Sequence, residues 1–180
     1  MINVRYRALK RLMRTRKKKV EVLDDILSID LGLEEVRLTK GNQQELPIWL
    51  IDILESEGYV TQNTVSREEI SKYLYQEKQN LTVPASLVQI PWDFYNRTRN
   101  TLVKLSSSID PRDIENVKRI SYMVNEITRI RLRKIVQLAS LNISDQNLIN
   151  RMTPEENLVF QDLRRSLSIL TGENDGNSTN

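Results

Sequence analysis

From Pro111 to Leu141 the chain runs without a further glycine or proline, and Asp110 directly before Pro111 supplies a helix cap followed by proline at the first helical position. Along this run Val117, Ile120, Val124, Ile127, Arg131, Ile135 and Leu138 recur at three- and four-residue steps, the spacing of one packed helical face. Thirty-odd residues at 1.5 Å each make a rod of roughly 50 Å. A compact domain of about 90 residues is only about 35 Å across. The rod is therefore expected to overhang its own domain, with another subunit covering the excess and Ile127, Ile135 and Leu138 as its contacts.

A second segment, ELPIWLIDILESEGYV at 45–60, reads as a short helix begun by Pro47 and ended by Gly58, from which Tyr59-Val60-Thr61 leaves as a strand. With Leu46 at 0° and 100° per residue, Leu50, Ile53 and Leu54 share its face and Trp49 sits at the edge. Ile48 and Ile51 fall well outside. A surface helix needs an apolar stripe of only about 100°, so this one should be covered from two sides, with Leu46, Ile48, Trp49 and Ile51 as docking residues.

Residues 20–40 alternate apolar and polar side chains in three short runs (Val20 and Val22; Ile29 and Leu31; Val36 and Leu38), with Gly32 and Lys40-Gly41-Asn42 as turns. Strands plus helix give a domain of about 40 residues, which rarely stabilises itself without disulfides or metal. It is expected to lean on the rest of the chain or on a partner.

Ser66-Arg67-Glu68-Glu69 is a capping box opening a helix through Ile70, Tyr73 and Leu74, and Thr153-Pro154-Glu155-Glu156 repeats the signal ahead of Phe160, Leu163, Leu167 and Leu170. Residues 79–91 hold two prolines and no helical period, so they read as the inter-domain connection. After Pro91, Tyr95, Thr98, Leu102 and Leu105 form another seam. The expected fold is α+β, mostly α. A basic arm (1–19) precedes a small β-rich domain (20–61). A helix and connection (62–90) lead to a helical-bundle domain with one long helix (91–170), and a disordered tail (171–180) follows.

The net charge of +3 hides a segregation: nine Lys/Arg and no acid lie between Arg5 and Lys19, leaving 27 − 9 = 18 basic against 24 acidic groups, about −6, elsewhere. The arm is either a solvated terminus or a nucleic-acid contact through Arg14, Arg16, Lys17, Lys18 and Lys19. With no Cys and no His, thiolate sites, the commonest metal ligand and the commonest acid–base group are all absent. The five glycines are isolated, so no phosphate-cradling loop forms. Acidic pairs at Glu68-Glu69 and Glu155-Glu156 sit in first helical turns, where they favour the macrodipole. No catalytic residue, metal site or cofactor is expected. No apolar run approaches the ~20 residues of a membrane span, so a cytoplasmic protein is expected.

Arg131 is the informative charge. It shares the seam with Ile127 and Leu138, whereas Arg129 and Arg133 point the other way. A guanidinium in an apolar seam needs a counter-charge, so a buried ion pair with an acid of a neighbouring helix is expected ahead of a nucleic-acid contact. Trp92, Phe94 and Tyr95 read as an anchor pinning the connection to the core, ahead of a base-stacking platform.

Five stretches in this order carry a resemblance: LPIWL…GYV after a β-rich piece, the acidic helix at 66–78, IPWDFYNRTRNTL at 90–102, RIRLRKIVQLA at 129–139 and MTPEEN at 152–157. The series resembles the archaeal GINS subunits of the DNA replication machinery, of the type whose small β domain precedes the helical one (Gins-two-three, or Psf-two/Psf-three-like). It covers roughly residues 20–170. The resemblance implies a non-catalytic, nucleoid-associated scaffold. Its partners would be a sister GINS subunit in a hetero-tetramer, the MCM helicase, a RecJ-like protein and primase, with weak or indirect DNA contact. It also places Arg131 and Lys134 in the helical core and subunit contacts. The alternative from the residues is a DNA-binding regulator using the basic arm and a small winged-helix-like unit.

Overall fold

The computed structural model describes residues 2–32, 35–62, 64–108, 110–143 and 145–171. The chain divides into two compact units, one over 3–63 and one starting at Thr64. The expected disordered tail lies, apart from the backbone of Thr171, outside the described residues.

The first unit runs α1 (Ile2–Thr15), β1 (Lys17–Val22), β2 (Ile26–Asp30), β3 (Glu35–Leu38), β4 (Gln43–Pro47), α2 (Ile48–Ser56) and β5 (Val60–Thr61). Strand β1 is central in an antiparallel β4-β1-β5 sheet, and β2 and β3 form a separate hairpin. Strand alternation points Val20 and Val22 inward, where they meet Leu38, Leu46, Leu50, Ile51, Leu54 and Val60. Helix α2 ends in a Schellman motif: the Tyr59 amide donates to Leu54 O at 2.9 Å and the Gly58 amide to Glu55 O at 3.2 Å. Gly58 adopts φ +83°, which turns the chain so that β5 returns to β1 with Val22 opposite Val60. An added Cβ at Gly58 meets nothing within 4 Å, so Gly58→Ala carries only the left-handed backbone cost. We expect a loss of about 1–2 kcal/mol, read as a shift in the urea midpoint. No shift would mean the turn relaxes.

Two boundaries differ from the sequence reading. Residues 2–15 form a helix, and β1 begins at Lys17, so Lys17, Lys18 and Lys19 belong to the sheet. The reason is pleat: Lys18 shares the face of Val20 and Val22, lays its stem along the core and brings Nζ to 3.4 Å from Gln62 Oε1. Strand β4 was also not anticipated, because QQEL carries one apolar residue and gains its strand from β1, with Lys19 opposite Glu45.

The second unit contains α3 (Arg67–Gln79), a 3-10 turn at Pro84–Ser86, α4 (Phe94–Ser106), α5 (Pro111–Ser140), α6 (Gln146–Ile149) and α7 (Pro154–Thr171). Residues 79–91 are therefore not a connection between units. Leu87 and Ile90 are buried in the helical core, and the division falls at 63/64. Helix α5 packs on α3, α4 and α7. One cluster joins Val65, Ile70, Ile90, Phe94, Ile120 and Ile127; the other joins Leu87, Ile135, Leu138, Ala139, Leu148, Met152 and Phe160. Phe94 sits edge-on to Tyr73 and Tyr95, with centroids 5.8 and 5.4 Å apart. Leu170, expected in the α7 seam, is exposed, because α7 at that point extends beyond its covering residues.

The 30 residues of α5 span roughly 45 Å. Its buried side chains begin at Ile120. Residues 111–119, about 14 Å of rod, bury none.

Candidate functional site

Between its two apolar clusters α5 carries Arg131 and Lys134, both fully buried. Arg131 Nε and Nη2 donate to the two carboxylate oxygens of Glu156 on α7 at 2.7 and 2.8 Å. Nη1 donates to Glu77 Oε1 of α3 at 2.6 Å and to Val88 O at 2.5 Å, and Nη2 also to Arg151 O at 3.0 Å. All five guanidinium N–H groups thus find acceptors. Lys134 Nζ meets Glu77 Oε2 at 2.6 Å and Ser86 O at 3.3 Å. Two cations face two carboxylates, so the layer is neutral and each partner offsets the others' desolvation.

Glu156 does three jobs. It accepts from the Thr153 amide at 2.9 Å while its own amide donates to Thr153 Oγ1 at 3.4 Å, completing a reciprocal capping box for α7. It pairs with Arg131, and it accepts from Tyr95 Oη at 2.7 Å. At α3 the box is half-used: Ser66 Oγ accepts from the Glu69 amide at 3.1 Å, but the Glu69 carboxylate turns to Arg97 at 3.2 Å. Burial, then the Glu156 charge, hold the Tyr95 phenol well above its ordinary pKa. For Arg131 burial works against the charge, and the bonds to Glu156 with the charges of Glu156 and Glu77 outweigh it, so its pKa rises. Every partner is consumed internally. The layer ties four helices and the 80–93 segment together, and its role is structural.

The residues singled out from sequence fall into three places. Phe94, Ile127, Arg131, Lys134, Ile135 and Leu138 are buried in the chain's own core, and Trp92 and Tyr95 are half-buried. Ile127, Ile135 and Leu138 thus do not form an open overhang. They are covered by α3, α4, α7 and the segments between, and the uncovered end of the rod is the other one. Leu46 and Ile51 are likewise inside the core of the first unit, and Ile48 is buried. Of the four docking residues only Trp49, 36% exposed, stays open, and Ile53, expected on the face of Leu46, is 52% exposed. Of the basic residues, Arg14 pairs with Asp52 at 3.6 Å and Arg16 O accepts from the Ile48 amide at 3.0 Å. Lys17 and Lys19 lie on the exposed face of the sheet.

Among the described residues no group of three or more His, Cys, Asp or Glu is arranged to hold a metal ion, and no helix is long and apolar enough to cross a membrane. Residues 64–171, more than half of the chain and all of the described helical unit, match the GINS complex protein helical bundle domain. The chain belongs to the GINS family. As such it is a structural subunit of the replication GINS complex, a family of non-catalytic subunits that form hetero-oligomers with one another. A comparison with curated proteins gives no match.

For a GINS subunit the informative surface is the one its own helices leave open. On α5 the exposed apolar side chains are Ile114, Tyr122, Leu132 and Val136, and Leu141 is exposed at its C-cap. The first four fall within an arc of about 80° at 100° per residue, one stripe along the whole rod. With Ile114 at 0°, Lys118 and Arg129 are exposed within the same arc, near 40° and 60°, and Arg133 is exposed at its edge, near 100°. Sequence reasoning missed this stripe because its apolar residues are spaced eight or more apart in the N-terminal half and interleaved with charges. It also missed Glu77 and Glu156 as the partners of Arg131. Glu77 did leave a signal, since it continues the Ile70, Tyr73, Leu74 seam by one more turn.

Proposed function

We propose that this GINS subunit is a non-catalytic scaffold of the archaeal Gins-two-three (Psf-two/Psf-three-like) type. It assembles with a sister subunit into a hetero-tetramer and bridges the MCM replicative helicase and a RecJ-like partner in chromosomal DNA replication at the nucleoid, with primase as a further contact. The order of the units, small β-rich first and helical second, supports the subtype. A scaffold of this kind raises helicase activity by coupling partners' binding and conformations, with no chemical step of its own.

The observation that carries the assembly is the α5 stripe. Leu132 and Val136 remain 46% and 39% exposed at the middle of a bundle whose opposite face is fully packed. Apolar surface of this kind on one side of a rod fits a partner helix. Arg129 within the arc and Arg133 at its edge fit a partner that carries acidic residues among its apolar ones. The test is co-expression with the sister subunit followed by sizing. Leu132→Asp with Val136→Asp should weaken the complex by roughly a hundredfold or more, since each side chain contributes about 1–2 kcal/mol on being covered and a carboxylate in its place resists burial. The double variant should still melt like the parent, because neither residue is in the core. Unchanged co-elution would remove the stripe from the interface. The alternative regulator reading has no such support: in the first unit α2 is followed by β5, not by a second helix at helix-turn-helix spacing.

A further inference from the structure

Helix α1 lies outside the matched family domain. Its five cations, Arg5, Arg7, Lys10, Arg11 and Arg14, are accompanied by no acid. With Arg7 at 0° on the wheel, Arg14 falls near −20°, Arg11 near 40° and Lys10 near −60°, one arc of about 100°. Leu9 and Met13 fall on the opposite side and are half-buried, whereas Arg7, Lys10, Arg11 and Arg14 are exposed. Like charges three and four residues apart destabilise a helix, so a helix that only needs solubility mixes signs. Helix α5 does so: Arg119 pairs with Glu115 and Arg129 with Glu126 at 3.3 Å. In α1, Arg14 reaches a carboxylate outside the helix, Asp52 of α2 at 3.6 Å. The remainder of the chain from residue 20 on is about −6 (18 basic, 24 acidic), so an anion drawn to this protein is drawn to α1.

We propose that the Arg7–Lys10–Arg11–Arg14 face of α1 docks on the phosphate backbone of duplex nucleic acid, without reading sequence. The four cations span seven residues, about 10 Å along the helix axis, against one phosphate per 3.4 Å along a strand of B-DNA. They therefore span about three phosphate intervals, a run of four phosphates. Between residues 7 and 14 this arc holds cations only, so binding is electrostatic. The proposal does not depend on the scaffold reading, which is tested by subunit sizing.

The experiment is fluorescence anisotropy of the full chain with a labelled 20-base-pair duplex between 50 and 200 mM salt. A four-contact face gives a log–log salt slope near −3.6, a loss of roughly a hundredfold across that range. Arg7→Gln, Lys10→Gln and Arg11→Gln together keep the helix propensity and remove three contacts. The slope should fall by about 3 and affinity at 50 mM by at least tenfold. The same charge change made on α3 by Arg67→Gln, Lys72→Gln and Lys78→Gln, all exposed, should leave slope and affinity within about twofold, a margin far below the effect of three lost phosphate contacts. Absence of duplex binding at 50 mM, or equal loss in both triple variants, overturns the proposal. So does binding of phosphatidylserine vesicles, lost in the α1 variant, with no duplex binding, which would make α1 a membrane-surface helix.

Discussion

Arg131→Ala should cost roughly 3–5 kcal/mol of stability, most of what a domain of this kind has, because it strands Glu156 and half of Glu77 in a dry core. The guanidinium reaches both carboxylates, and Val88 O and Arg151 O lose a donor with it. The tie between α5, α7 and the 80–93 segment goes at one stroke. Arg129→Ala, two residues away on the exposed face with a single bond to Glu126 at 3.3 Å, should cost under about 0.5 kcal/mol. Urea melts of both variants decide the matter. Small and equal midpoint shifts would mean that the layer is solvated in solution.

Glu77→Leu should be nearly as damaging, about 3–5 kcal/mol, for the complementary reason: it leaves Lys134 with backbone carbonyls alone and takes one acceptor from Arg131. Adding Lys134→Met removes the stranded ammonium and replaces it with a chain of similar volume. The double variant should recover about 1.5–3 kcal/mol relative to Glu77→Leu alone, the coupling expected of side chains in direct contact. Additive losses in a double-mutant cycle would show that Glu77 and Lys134 act independently. The 2.6 Å contact between them would then carry no coupling.

These variants probe stability, whereas the α5 stripe and the α1 face probe partners. The two sets share no residue. Arg131, Lys134 and Glu77 are fully buried and Glu156 nearly so, and Leu132 and Val136 have no place in the core. A GINS subunit whose fold survives Leu132→Asp and Val136→Asp, yet no longer assembles, would locate its function on the outer face of one helix.

The sequence by itself determined the elements that depend on local rules. Asp110 with Pro111 set the start of α5, and its Oδ1 accepts from the Arg112 amide at 2.8 Å. Gly58 set the end of α2, and the Ser66 and Thr153 caps set the starts of α3 and α7. The need of Arg131 for a counter-charge also followed from its place in an apolar seam, because that argument uses only helical periodicity and the cost of a bare buried charge. Tertiary structure decided everything that depends on distant residues meeting. It made QQEL a strand by pairing it with β1. It drew 79–91 into the helical core by burying Leu87 and Ile90, and it turned a basic arm into α1 and the first half of β1. It chose Glu77 and Glu156, 54 and 25 residues from Arg131, from among all the acids of the chain. It also decided which face of the long rod stays open. A seam read from periodicity says that one side is covered and leaves unstated by what. Only the packing of α3, α4 and α7 shows that Ile127, Ile135 and Leu138 belong to the core and Leu132 and Val136 to the surface.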